Sequence, residues 1–317
     1  MAFSMAYRHT FASFGGLFAV IFGLTHCGPK QEPTLPDKTA SSLPAATPPA
    51  GAPATAPAPT PPAAKLKFAW TEELMNKEIK FHNPEYEGGG QFRIEDGEPL
   101  AVGLDGAKVS NLKFLEGRAR LTAVYLSDTQ VSELTPLKGL PITELYIERT
   151  KVRDLSPLRG MPLTKLYLTG TPVQDLGPLE GLPLTDFNAK DCPISDISAL
   201  RKSPLSMVWL NGCPLTNIAP LKGLPLKSLT LHLTRVVDLG PLKGSSLERL
   251  HIGETPVEDL TPLQGLHLTR LVFTPDRIKT GLEVAKALPL GEIGTKFAEE
   301  GNDLKPPAEF WAARPGP

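Results

Sequence analysis

The side chains of this 317-residue chain that are able to recognise or transform another molecule recur in columns. Tyr125, Tyr146 and Tyr167 stand 21 residues apart, and Trp209 follows two such intervals later. Rings repeated on one strip supply large, rigid contact area with a polar edge, which is the chemistry of recognition rather than of bond breaking. Tyrosines also simply favour strands and stack there on each other. His232, Arg249, His251 and Arg270 make a second group, which fits an acidic partner or an anionic polymer, or else a solvated charged face. His232 and His251 fall on a diagonal between neighbouring units, a pair too sparse for a metal site, and neither metal nor cofactor is expected. Asp154, Asp175, Asp196, Asp238 and Asp259 are a third column, read as carboxylates that accept from turn amides rather than as catalytic or metal-binding acids.

Signatures of catalysis do not occur. GxSxG, GxxxxGK[ST], HExxH, CxxC and GxGxxG are missing, as is the kinase set. The chain is therefore read as non-catalytic, with an unrecognised active site across the sheet as the remote alternative. With 33 basic against 34 acidic groups the net charge is −1, so the basic excess that a phosphate footprint requires is lacking and nucleic acid is not an expected partner. Three cysteines are too few for a disulfide scaffold.

The elements that must carry these columns follow from a repeat. Residues 121–267 divide without insertion into seven units of 21, starting at Leu121, Ile142, Leu163, Leu184, Leu205, Leu226 and Leu247. Positions 4 and 6 of each unit are apolar, a period-2 pair that predicts a short strand with positions 3, 5 and 7 facing out. Only the fourth unit, with Ala189 at position 6, looks thin. Apolar positions 11, 14 and 17 recur every third residue, the spacing of a 3₁₀ turn. Proline at position 16 suits the start of such a turn, with the Ser, Thr or Gly before it as a cap. Glycine at 19 and proline at 21 return the chain to the next strand. Position 9 reads Thr129, Thr150, Thr171, Cys192, Cys213, Thr234 and Thr255, expected to be a buried hydrogen-bonded ladder. Cys192 and Cys213 stack at about 4.8 Å, which favours two buried thiols over a bridge.

This pattern resembles the leucine-rich-repeat family in its short bacterial form, over residues 99–289. The resemblance implies an α/β leucine-rich-repeat solenoid, horseshoe-like, with parallel strands on the concave face and 3₁₀ or irregular segments on the convex side. Eight or nine strands are expected, between caps at residues 65–98 and 290–317. Residues 70–81 have helical spacing and 91–97 suggest a hairpin; Ile278, Leu282, Ala285 and Leu288 suggest a helix, and Phe310 with Trp311 an aromatic plug. The cap segments look like those of exported bacterial leucine-rich-repeat proteins.

Ahead of the repeat, residues 1–26 read as an export signal: Arg8 and His9 precede an uncharged stretch too short to span a bilayer. Leu24-Thr25-His26-Cys27-Gly28 resembles a bacterial lipobox, with His26 where a small residue is usual. That resemblance implies lipidation of Cys27; plain secretion and an uncleaved anchor are the alternatives. Residues 27–64 are a linker, and 28–64 hold 11 prolines and 10 alanines with no aromatic residue. As polyproline II they would reach roughly 110 Å. The expected protein is thus a non-catalytic binding module, monomeric, lipid-anchored to a bacterial membrane, with the outer membrane or periplasmic side favoured by analogy through Gly28. It is expected to take a protein partner on its concave face; an internalin-like surface adhesin is the alternative. The residues expected to make that contact are Tyr125, Tyr146, Tyr167, Trp209, His232, Arg249, His251 and Arg270.

Overall fold

A computed structural model describes residues 69–298 and 301–314. The export signal, Cys27 and the linker lie outside the described residues. The first element is α1 (Glu72–His82), opened by the Thr71 hydroxyl accepting from the Leu74 amide and burying Met75 and Ile79. Asn83 ends it and ties it to the first coil: its side chain accepts from the Ser110 and Asn111 amides and donates to the Asn111 carbonyl, each at 2.9 Å. A hairpin of β1 (Gln91–Glu95) and β2 (Glu98–Gly103) follows, turning at Asp96 and Gly97, both with positive φ as a two-residue hairpin turn demands.

From β2 onward every strand pairs in parallel with the next. They are β3 (Ala123–Tyr125), β4 (Glu144–Tyr146), β5 (Lys165–Tyr167), β6 (Asp186–Asn188), β7 (Met207–Trp209), β8 (Ser228–Thr230), β9 (Arg249–His251) and β10 (Arg270–Val272), closed by β11 (Glu292–Gly294). From β3 to β10 the register is one repeat per rung, so equal positions of successive units lie side by side. The sheet is open and has eleven strands, more than the eight or nine expected. The excess has a plain cause: a strand of the N-terminal hairpin joins at one edge, and β11, within the stretch read as a C-terminal cap, adds a coil at the other.

In each of the seven units the strand is followed by a 3₁₀ turn that begins at position 15, as in 135–137 and 156–158. Positions 4, 6, 11, 14 and 17 of the seven units are buried in one continuous core. Each buried leucine contributes roughly 1.5–3 kcal/mol relative to exposure, and no coil could bury this surface alone. In the fourth unit Phe187 at position 4 offsets the small Ala189 at position 6, both at 0% exposure.

The turns are held by the acidic column rather than by the residue before proline. The position-13 carboxylate accepts from the position-15 amide at 2.8 Å in Asp154, Asp175, Asp196 and Asp259 and at 2.7 Å in Asp238, and Asn217 does the same. The Thr261 hydroxyl, expected to cap, instead donates to that carboxylate, because it already serves the freed amide, and Ser198, which precedes Ala199 rather than a proline, does the same. At position 9 each threonine hydroxyl donates to the position-6 carbonyl of its own unit, for example Thr150 to Ile147 at 2.7 Å. Cys192 and Cys213 are unbridged and reach back one coil, to the Leu168 and Ala189 carbonyls at 3.1 Å. Burial pushes both thiols up, Cys213 to about 12.

One feature of the coil is silent in the sequence. Position 8 has positive φ in all seven units, although only Gly170 and Gly212 are glycines; the others are Asp128, Arg149, Asp191, Leu233 and Glu254. In the first six units the position-8 amide donates to the position-7 carbonyl of the next coil, as from Arg149 to Thr169 at 2.7 Å, and this outweighs the local strain.

Beyond β10, Gly281 with φ of 79° starts α2 (Leu282–Ala287), which is shorter than the spacing from Ile278 suggested because residues 275–277 form a separate 3₁₀ turn. A small hairpin, β12 (Phe297–Ala298) with β13 (Gly301–Asn302), leads to α3 (Pro307–Ala312). Phe310 is buried there, its ring centre 6.3 Å from that of Phe273, with Trp311 edge-on to it at 5.1 Å: the expected aromatic plug.

Candidate functional site

Position 5 occupies the middle of the sheet face. Because β3, β4 and β5 pair in register, Tyr125, Tyr146 and Tyr167 are brought to the distance at which rings stack. Their centroids lie 4.8 Å and 4.6 Å apart, with interplanar angles of 23° and 18°. Asn188 interrupts the column. Its side-chain oxygen accepts from the Thr169 hydroxyl and the Lys190 amide, and Trp209 tilts to 6.1 Å from Tyr167. The rings are half-buried by one another while remaining on the outer face of the sheet. At the N-terminal end the register partner of Tyr125 is Gly103, which has no side chain to cover the first ring.

Carboxylates flank the ladder. Glu144 at position 3 accepts from the Tyr125 hydroxyl at 3.3 Å and from Lys165 Nζ at 3.0 Å. Glu148 at position 7 accepts from the Ser127 hydroxyl at 3.2 Å, and Asp105 accepts from the Ser127 amide. Burial, reinforced by Glu144 and Asp105, pushes the Tyr125 phenol up to about 12. Tyr146 and Tyr167 are pushed up as well, again first by burial and then by neighbours that include Glu144 and Asp186. Burial likewise raises the Glu148 carboxyl. The phenols are accordingly neutral hydrogen-bonding groups at physiological pH.

The C-terminal group differs from the sequence reading. Arg249 is exposed and His232 half-buried, but His251, expected to face outward, is buried at 6% exposure. Two neighbours account for this correction. The His232 ring stacks on it at 4.8 Å, and the chain beyond β11 crowds the same spot: a methyl on Gly253 would lie 3.1 Å from His251 Nε2 and 3.2 Å from the Thr295 carbonyl. Burial, then the neighbouring His232, lowers His251 to about 4, so it is neutral near pH 7. Arg270 is also engaged within the chain, by Glu292 at 2.7 Å. The expected basic end is thus partly neutralised by the last coil, whose strand the sequence did not reveal.

Among the described residues no group of three or more His, Cys, Asp or Glu side chains is placed to hold a metal ion. A polar hollow of about 390 Å³ lies on the opposite side, lined by residues including Asp175, Asp196, Arg201 and Lys202, where Ala199 replaces the usual proline. Among the described residues no helix is long and apolar enough to cross a membrane.

Short parallel strands stacked one per coil, backed by 3₁₀ turns, define a leucine-rich-repeat solenoid. Among solved structures the chain is similar to an internalin of Listeria monocytogenes, with a TM-score of 0.52 and 24% identity over 62% of this chain and 67% of that one. It is also similar to internalin C2 of the same bacterium (0.45, 22% identity, 69% and 91% covered) and to a leucine-rich-repeat protein of Leptospira interrogans (0.47, 17% identity, 57% and 51% covered). Neither a family model nor a curated protein matches the sequence. At these identities the first structure attests the fold alone.

Proposed function

We propose that this chain is a non-catalytic protein-interaction module that takes its partner on the concave sheet face and is held to a bacterial envelope membrane through Cys27 and the proline-rich linker. The observation that carries the binding reading is the ladder of Tyr125, Tyr146 and Tyr167 with Trp209 beside it. Four large rings are kept on an outer face by residues whose inward neighbours do all the core packing, so the fold does not require aromatic groups there. Replacing these four residues by serine is expected to abolish capture of the partner from envelope extract while the far-ultraviolet dichroism stays that of the parent. Undiminished capture by a folded variant would reject the concave face as the contact surface.

The tether is tested separately. Cys27→Ser is expected to move the protein from the membrane pellet to the soluble fraction, since one sulfur would carry the whole lipid attachment. A variant that still sediments with membranes is anchored by something else.

A further inference from the structure

The two halves of the sheet face differ in the charge they leave unused. At the C-terminal end the outward-facing cations are Arg270, matched inside the chain by Glu292, and Arg249, which is exposed. Between β3 and β7 the balance is reversed. Asp105, Glu144, Glu148 and Asp186 surround the tyrosine ladder, and the cations among them are Lys165 and Lys190. Lys165 stands in register between Glu144 and Asp186, and its ammonium is on Glu144. Lys190 is engaged too.

Asp186 is the anomaly. It is buried, at 6% exposure, at an outward-facing position of β6. One oxygen, Oδ2, accepts from the Thr185 hydroxyl at 2.7 Å; the other, Oδ1, is buried with no hydrogen-bond donor among the described residues. A carboxylate oxygen withdrawn from water and left without a donor is costly, and a donor arriving from another molecule would recover that cost. Its neighbours in register are Lys165 and Met207, long unbranched side chains that can swing aside without disturbing the backbone. Asp186 pairs in register with Lys165, two residues before Tyr167 on the neighbouring strand, which places it beside the ladder.

We propose that the sheet face between β3 and β7 receives a basic side chain of the protein partner, an arginine above all, with Asp186 and Glu144 as its counter-ions and the tyrosine edges as its walls. The planar guanidinium fork matches a carboxylate with two parallel hydrogen bonds and packs against aromatic rings, whereas an ammonium makes a point contact. This assignment rests on the binding reading given above and narrows it: the partner presents a basic segment, not the acidic one that the histidines and arginines of the C-terminal half suggested.

Labelled hexa-arginine and hexaglutamate peptides, titrated onto the purified full chain and followed by fluorescence anisotropy, test it. Saturable binding of hexa-arginine alone is expected, weakened about tenfold by Asp186→Asn and by Glu144→Gln but not by Glu133→Gln, an exposed acid off the sheet face. Asp186→Asn keeps the size of the side chain while replacing a carboxylate that has one buried oxygen without a donor, so its melting temperature should not fall; Glu144→Gln, at a half-buried position, gives a second reading. Unchanged affinity in both variants, an equal loss in Glu133→Gln, or equal binding of hexaglutamate overturns the assignment. If those variants keep hexa-arginine while the four-serine variant loses the native partner, the module stands and the basic ligand falls. If they lose hexa-arginine while the four-serine variant keeps its partner, the cation site stands and the aromatic surface falls.

Discussion

Acidification from about pH 6.5 to about pH 4 is expected to remove about 3 kcal/mol of stability through His251 alone. The sign follows from the buried ring. Its folded pKa of about 4 lies below the ordinary value of 6.5, so between these limits the unfolded chain binds a proton that the native one refuses. Stability from this group is complete above pH 6.5, declines as the pH falls through the interval, and loses nothing more below it. Glu148 acts in the opposite sense, because burial raises its carboxyl and the native state takes up that proton first as the pH falls. The measured slope is therefore a difference, and His251→Phe isolates one component while keeping a ring against His232. Urea unfolding at pH 7, 5.5 and 4 should show the parent losing about 3 kcal/mol more than the variant. Equal losses in both would mean that the ring is protonated in the native state. Against the 5–15 kcal/mol typical of whole domains, about 3 is a large fraction.

Phe187→Ala should cost about 3–5 kcal/mol, the range for a large buried side chain whose cavity cannot collapse. The fourth unit has no reserve: Ala189, two residues on and on the same face, is too small to fill the space. The same complementarity predicts a rescue. Phe187→Leu with Ala189→Leu reproduces the leucine pair found at Leu166 and Leu168 and at Leu229 and Leu231, and should recover most of what Phe187→Leu loses. Denaturant midpoints of the two single variants and the double variant measure the coupling; strict additivity would show that the two side chains do not share volume. In a stack where each coil touches only its neighbours, a weak central coil also threatens cooperativity, and Phe187→Ala should broaden the transition.

Much of this architecture was legible because the repeat is self-reporting. Leucines at fixed intervals, proline at position 16 and aspartate at position 13 each have one physical use in a coil, and the structure puts them to it. The thiols of Cys192 and Cys213 were read correctly for a geometric reason, since stacked strands hold their side chains too far apart for a relaxed bridge. Position 8 was not legible: its positive φ falls on Asp, Arg, Leu and Glu as well as Gly, because the constraint comes from the carbonyl of the next coil and not from the residue itself. β11 was missed because its short segment lies outside the 21-residue period.

For the site the division is similar. Tyr125, Tyr146 and Tyr167 share position 5, so their stacking was available from period and strand alternation alone. His251 occupies the same position, yet it is buried. Alternation determines which face a side chain leaves the strand from; it does not determine what lies above that face, and there the chain beyond β11 closes in. Asp186 carries the same lesson in charge. The sequence by itself determined that an acid stands at position 3 of the fourth unit, but only the assembled sheet, in which β5 and β7 flank it with Lys165 and Met207 in register, decided that one of its oxygens is buried without a donor. Local periodicity sets direction because it is a property of one strand; burial and pairing depend on what other coils bring to the same place, and that is a property of the assembled stack.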